Sequence, residues 1–316
     1  MTLDPDAARV LEMVRTSGRP PYETMTPPEA RAAYHAVRGT AAPEAPPVDA
    51  IKNFSASGPH GAIPVRLYRP KGSGSAALPV IVYFHGGGWM LGDLDALDAT
   101  CCRLANASGV AVVSVDYRLA PENKFPKAVD DAFAATTWVT AQAKTLNIDP
   151  ARLAVGGDSA GGNLAAVVCL IARDAPRDSD PPKITFQVLV YPATDATMDT
   201  PSHRRFGQGH LLTGAALNWF YQHYLNSSAE RLDWRASPIH AFSLRNLPPA
   251  FVMTAGYDPL RDEGEHYALR LAQESGQPVT LWREQGQIHG FLPMGKLIAA
   301  AGPAIDRLAA ALKTAL

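Results

Sequence analysis

What most constrains this chain of 316 residues is a set of short, nearly unbroken apolar runs that alternate with helix-patterned segments. Residues 78–84 (LPVIVYF), 109–117 (GVAVVSVDY), 152–155, 184–192 (ITFQVLVYP) and 249–258 (PAFVMTAGYD) are too short for core helices and rich in β-branched residues. Runs of this kind suit strands buried on both faces. Between them, 128–147, 163–172, 263–276 and 302–316 are alanine- and leucine-rich and read as helices. Residues 63–70 and 279–286 add two further strands. Strands alternating with helices predict an α/β domain with a mostly parallel sheet and helices on both faces.

Two segments fall outside that alternation. In residues 1–45, Ala7, Val10, Leu11 and Val14 lie at helical spacing. A second helix follows Thr26 as N-cap, starts on prolines and is expected to end at Gly39, before the proline-rich linker TAAPEAPP. Residues 198–230 hold a loop and an aromatic-rich helix. Both segments are expected to cover a site as a cap, leaving 46–197 and 231–316 as two parts of one core.

Composition narrows the function classes. Hydrophobic residues are 47% and charged residues 19%, a globular balance. A net charge of -1, without basic runs, speaks against nucleic acid or an anionic membrane as partner. No apolar run is long enough to span a bilayer, and the acidic start is unlike a secretory signal. The three cysteines, Cys101, Cys102 and Cys169, form no disulfide framework, so a reducing cytoplasm is the expected location.

Ligands of open α/β sheets gather at the carboxyl ends of strands. The segment after 152–155 reads Gly157-Asp158-Ser159-Ala160-Gly161 and leads straight into a helix. A serine on so sharp a strand-to-helix turn is lifted out of the packed layers as an exposed nucleophile. After 78–84 come His85 and three glycines, 86–88, whose backbone amides can face a developing negative charge. Asp258 follows the strand at 249–257, and His289 follows that at 279–288. The order Ser159, Asp258, His289 is that of a nucleophile, an orienting acid and a base. Asp258 is preferred to Asp262 and Glu263 because it sits nearest its strand end. His203, His210 and His223 fall in the cap segment, and His85 is read as organising the glycine loop. No metal-ligand spacing or dinucleotide fingerprint is present, and no cofactor is implied.

Taken together, HGGGW, DYRLAPENKFP, GDSAGGNLA, YDPLRDEG and HGF resemble the bacterial hormone-sensitive-lipase family of carboxylesterases, in its GDSAG branch. The resemblance implies an α/β-hydrolase fold with a helical cap. It implies Ser159 as nucleophile, Asp258 and His289 as acid and base, and the amides of Gly87, Gly88 and Ala160 as oxyanion hole. It assigns Asp116, Tyr117, Arg118 and Glu122 to a supporting block. The expected reaction is hydrolysis of a small-molecule ester with a short to medium acyl chain. Trp89, Met90, Tyr191, Phe206, Leu211, Leu212 and Phe291, beside site segments or in the cap, are expected to line the substrate pocket. An exposed edge strand would support a homodimer. Amidase, lactonase and other acyl-transfer activities share the same triad. A non-catalytic receptor on this fold is disfavoured because His289 is present.

Overall fold

The computed structural model describes residues 2–316. An eight-stranded sheet runs through the molecule in the order β1-β2-β4-β3-β5-β6-β7-β8. β1 (Ala50–Gly58) and β2 (Gly61–Arg69) form an antiparallel hairpin that joins β4 (Ala111–Val115) antiparallel. From β4 through β3 (Leu78–Phe84), β5 (Ile148–Asp158), β6 (Ile184–Val190), β7 (Ala250–Tyr257) and β8 (Val279–Ile288) every pairing is parallel.

Alternation along the central strands feeds two cores. Val80, Val82 and Phe84 of β3 face one side with α4 (Lys127–Ala141), α6 (Ala160–Asp174) and α9 (Arg261–Glu274). Ile81 and Tyr83 face the other, with α3 (Asp98–Ser108) and α10 (Ala301–Ala315). Each face of the sheet is thereby removed from water, the arrangement that continuous apolar strands require. Two expected details differ. The helix before β5 is broken after Gln142, so that a short α5 (Ala143–Leu146) follows α4. β1 carries exposed polar residues such as Lys52 and Asn53 and gave no apolar signal.

The N-terminal segment forms α1 (Pro5–Thr16) and α2 (Pro27–Ala41). Asp4 caps α1, its carboxylate accepting from the Asp6 amide at 2.8 Å. Thr26 begins α2 with a capping box in which its backbone amide donates to Glu29 at 2.8 Å. The helix continues through Gly39 to Ala41, past its expected end, because Gly39 keeps a helical backbone and Ala42 closes the last turn onto the Arg38 carbonyl. Between β6 and β7 lie α7 (Pro201–Phe206) and α8 (Gly214–Tyr224). α2 is pinned to the core by Arg31, which donates to the Met90 and Ala120 carbonyls at 3.0 and 2.8 Å and pairs with Glu122. α7 is held by His203, whose Nε2 lies 2.6 Å from Glu263 of α9 in a buried pair.

Candidate active site

The turn from β5 into α6 places Ser159 at φ +56°, ψ −118°, a strained conformation for a side chain other than glycine. The turn fits because Gly157 and Gly161 leave no Cβ: at either position one would collide with the Phe84 carbonyl at the end of β3. The Ser159 amide donates to the Val190 carbonyl at 2.8 Å, fixing the turn against β6. Strain at one part-buried hydroxyl, held from three strands, is the mark of a preorganised site.

β8 ends beside it. His289 Nε2 lies 2.8 Å from Ser159 Oγ, and Nδ1 lies 2.7 Å from Asp258 Oδ2. A carboxylate accepts at Nδ1, so that nitrogen carries the proton and Nε2 is free to accept from the serine hydroxyl. Asp258 is fully buried, and its second oxygen accepts from the Leu260 amide at 2.8 Å. The neighbouring carboxylates point elsewhere. Asp262 accepts from the Ser202 amide at 2.8 Å, and Glu263 serves His203 and the Thr194 and Asp195 amides.

The glycine loop after β3 faces the same hydroxyl. Gly87 and Gly88 have φ of +123° and +59°, and a Cβ on Gly87 would strike the Leu91 carbonyl. Among the described residues, neither amide donates to a protein acceptor. The Ala160 amide, first in α6, has no intrahelical partner either. Gly87, Gly88 and Ala160 line the same cavity as Ser159, and none of their three amides has a partner among the described residues.

The loop is held from both sides. His85 stacks on Tyr117 with ring centroids 4.3 Å apart, and its Nδ1 donates to the Gly86 carbonyl at 2.8 Å. Burial lowers the His85 pKa to about 4, so the ring is neutral at pH 7. Tyr117 donates to the His85 carbonyl at 2.7 Å. Arg118, the next residue, pairs with buried Asp131 and donates to the His60 carbonyl. Asp116 is pushed up to about 6, by burial first and then by Asp93 and Asp95. Asp158, which sequence reasoning passed over, accepts from the Gly86 amide at 3.0 Å. Burial raises the pKa of that carboxyl, against the pull of Arg38 and the Gly86 amide. Its position next to Ser159 was the available signal.

A cavity of about 280 Å³ opens onto Ser159 and His289. Of the residues expected along it, Trp89, Leu211 and Leu212 are on its wall. Met90, Tyr191, Phe206 and Phe291 are not, which corrects the expectation for these four. Tyr191 and Phe291 are fully buried behind the histidine, the Tyr191 ring 4.8 Å from that of His289 and 5.9 Å from that of Phe291. Met90 is buried in the core, and Phe206 packs on Tyr257. The wall that sequence reasoning missed comes from α1, α2 and α8: Val10, Met13, Tyr34, Arg38, Leu217 and Phe220. None of His203, His210 and His223 reaches it.

Comparison with known proteins gives a consistent set of relatives. The alpha/beta hydrolase fold family matches residues 81–293. A protein of Mycobacterium tuberculosis named carboxylic ester hydrolase LipN is 46% identical over 268 residues, covering 84% of this chain and 70% of that protein. An ethyl acetate hydrolase of Pseudomonas putida is 41% identical over 304 residues, 94% of each chain. Among solved structures, an ester hydrolase from the metagenome of Lake Arreo superposes with a TM-score of 0.94 at 40% identity, covering 99% of both chains. The hyperthermophilic esterase of Pyrobaculum calidifontis superposes with a TM-score of 0.91 at 38% identity, again over 99% of both.

Proposed function

Since the chain belongs to the hormone-sensitive-lipase family of carboxylic ester hydrolases, within the alpha/beta hydrolase fold, we propose that it cleaves short- to medium-chain esters by attack of Ser159. The observation that carries this reading is the unbroken hydrogen-bond chain Ser159–His289–Asp258. His289 Nε2 takes the hydroxyl proton as Oγ bonds to the ester carbonyl carbon, and Asp258 stabilises the imidazolium that results. The oxygen, now negatively charged, sits among the amides of Gly87, Gly88 and Ala160. Collapse breaks the bond to the alkoxy oxygen, which leaves with the proton from His289. Water then repeats the sequence on the acyl-serine and returns the free enzyme.

The size and lining of the cavity support the chain-length preference. At about 280 Å³ it falls just below the usual range of ligand pockets (~300–1,000 Å³), and Leu211, Leu212 and Leu217 make much of it apolar. α1 and α2 together with 198–230 act as the cap, a role supported by the residues they contribute to the wall. The Gly157–Gly161 sequence supports the GDSAG branch. Three buried free cysteines support a cytoplasmic location, and exposed Trp282 and Leu281 on edge strand β8 support a homodimer. Among the described residues no helix is long and apolar enough to cross a membrane.

The test is hydrolysis of p-nitrophenyl esters from acetate to palmitate by wild type and Ser159→Ala. Turnover should peak at short chains and vanish in the variant. Turnover that survives the substitution would remove Ser159 from the reaction.

A further inference from the structure

The cavity over Ser159 contains a charge that ester cleavage leaves unused. Arg38, near the end of α2, lies on its wall. The guanidinium rests on the face of Tyr34, 4.8 Å from the ring centroid, and its Nη1 is buried without an acceptor. Among the described residues no carboxylate forms an ion pair with it, whereas Arg31 of the same helix pairs with Glu122. A guanidinium does not shed its proton, so the charge persists in the cavity and Nη1 stays unsatisfied. Burial works against that charge. A hydrogen bond with Tyr34 and the nearby Asp158 outweigh it, and the group holds its proton more tightly than usual.

The other charged groups on the wall do not cancel it. They are Arg19, a second cation, and Asp158. Burial raises the pKa of Asp158 against the pull of Arg38, and its Oδ1 is spent on the Gly86 amide. The wall thus carries two arginines against one aspartate, and the planar Arg38 fork, with Nη1 unpaired, lies on the same wall as Ser159. Apolar wall from Val10, Met13, Leu211 and Leu217 completes the surroundings. A fork of this shape matches the two oxygens of a carboxylate.

Building on the esterase reading, we propose that Arg38 anchors a carboxylate carried by the substrate, so that preferred substrates are half-esters of dicarboxylic acids. The methylenes between the two ends lie along the apolar wall while the ester carbonyl meets Ser159. The anchoring carboxylate is bound and released unchanged.

The competing role for Arg38 is to balance the charge of Asp158, which would affect every ester alike. Chain-matched pairs separate the two. The ethyl hydrogen esters of succinic, glutaric and adipic acid are compared with ethyl butyrate, valerate and hexanoate at pH 7 by titration of released acid. Wild type, Arg38→Met and Arg38→Lys are assayed. At the best-fitting length, wild-type kcat/KM should be higher for the half-ester than for its neutral match. Arg38→Met should lower that ratio by about 10–100-fold, and Arg38→Lys should recover part of it. An equal fall on both ester classes in Arg38→Met would overturn the anchor in favour of charge balance. A wild type that favours the neutral ester at every length would overturn it outright. Absence of turnover on both ester classes in wild type would instead defeat the esterase reading itself.

Discussion

Replacing Asp158 tests how the glycine loop is held. Its Oδ1 accepts from the Gly86 amide at 3.0 Å, and the residue is only 4% exposed. In Asp158→Ala that amide is left buried without a partner, at a cost of about 1–3 kcal/mol. The loop can recover the cost by shifting Gly86, which moves the adjacent Gly87 and Gly88 amides away from the oxyanion position. If the full cost falls on the reactive arrangement, kcat/KM drops about 5–150-fold. The loss should appear in kcat with KM little changed, because in the proposed mechanism the amides act on charge that exists only in the transition state. Asp158→Asn keeps an acceptor oxygen at the same place and should retain most activity. Steady-state kinetics on p-nitrophenyl butyrate, with circular dichroism to establish folding, measure both. An alanine variant within twofold of wild type, or an asparagine variant as impaired as alanine, would refute the reasoning.

Four further substitutions probe other parts of the framework. Arg31→Ala removes two bonds to backbone carbonyls and the Glu122 pair, and should loosen α2, seen as faster proteolysis within residues 20–45 and a lower Tm. Glu122→Gln should have a smaller effect, because the carbonyl bonds remain. For His85, the folded pKa of about 4 lies below the ordinary histidine value of ~6.5. Its contribution is therefore complete above pH 6.5 and lost as pH falls toward 4, by ~3 kcal/mol, so urea midpoints should decline over that window in wild type and decline less in His85→Asn. Gly161→Ala would drive a Cβ into the Phe84 carbonyl and should cost more than ~4 kcal/mol, read as loss of soluble protein.

The parts of this molecule that sequence reveals are those where chain direction fixes the outcome. Ser159, Asp258 and His289 each follow a strand, and parallel strands bring their carboxyl ends to one edge, so order along the chain is enough to bring the three together. Side-chain direction is a different matter. Tyr191 and Phe291 adjoin site segments, yet the backbone turns at Tyr191, with φ +33°, and both rings back the histidine from inside the core. Arg38 reads as one more solvated arginine on an amphipathic helix, and only the packing of α2 over the cavity encloses its guanidinium. β1 escapes notice because its stability comes from pairing with β2, while its own residues are largely polar and exposed.

The claim on which all of this depends is that His289 and Asp258 make Ser159 the reacting group. It is tested most directly by incubating the protein with an alkyl p-nitrophenyl phosphonate and locating the adduct by mass spectrometry. One phosphonyl group per chain is expected on Ser159, formed at a rate that falls by orders of magnitude in His289→Ala. Labelling at another residue, or labelling of Ser159 at an unchanged rate without His289, would contradict the account.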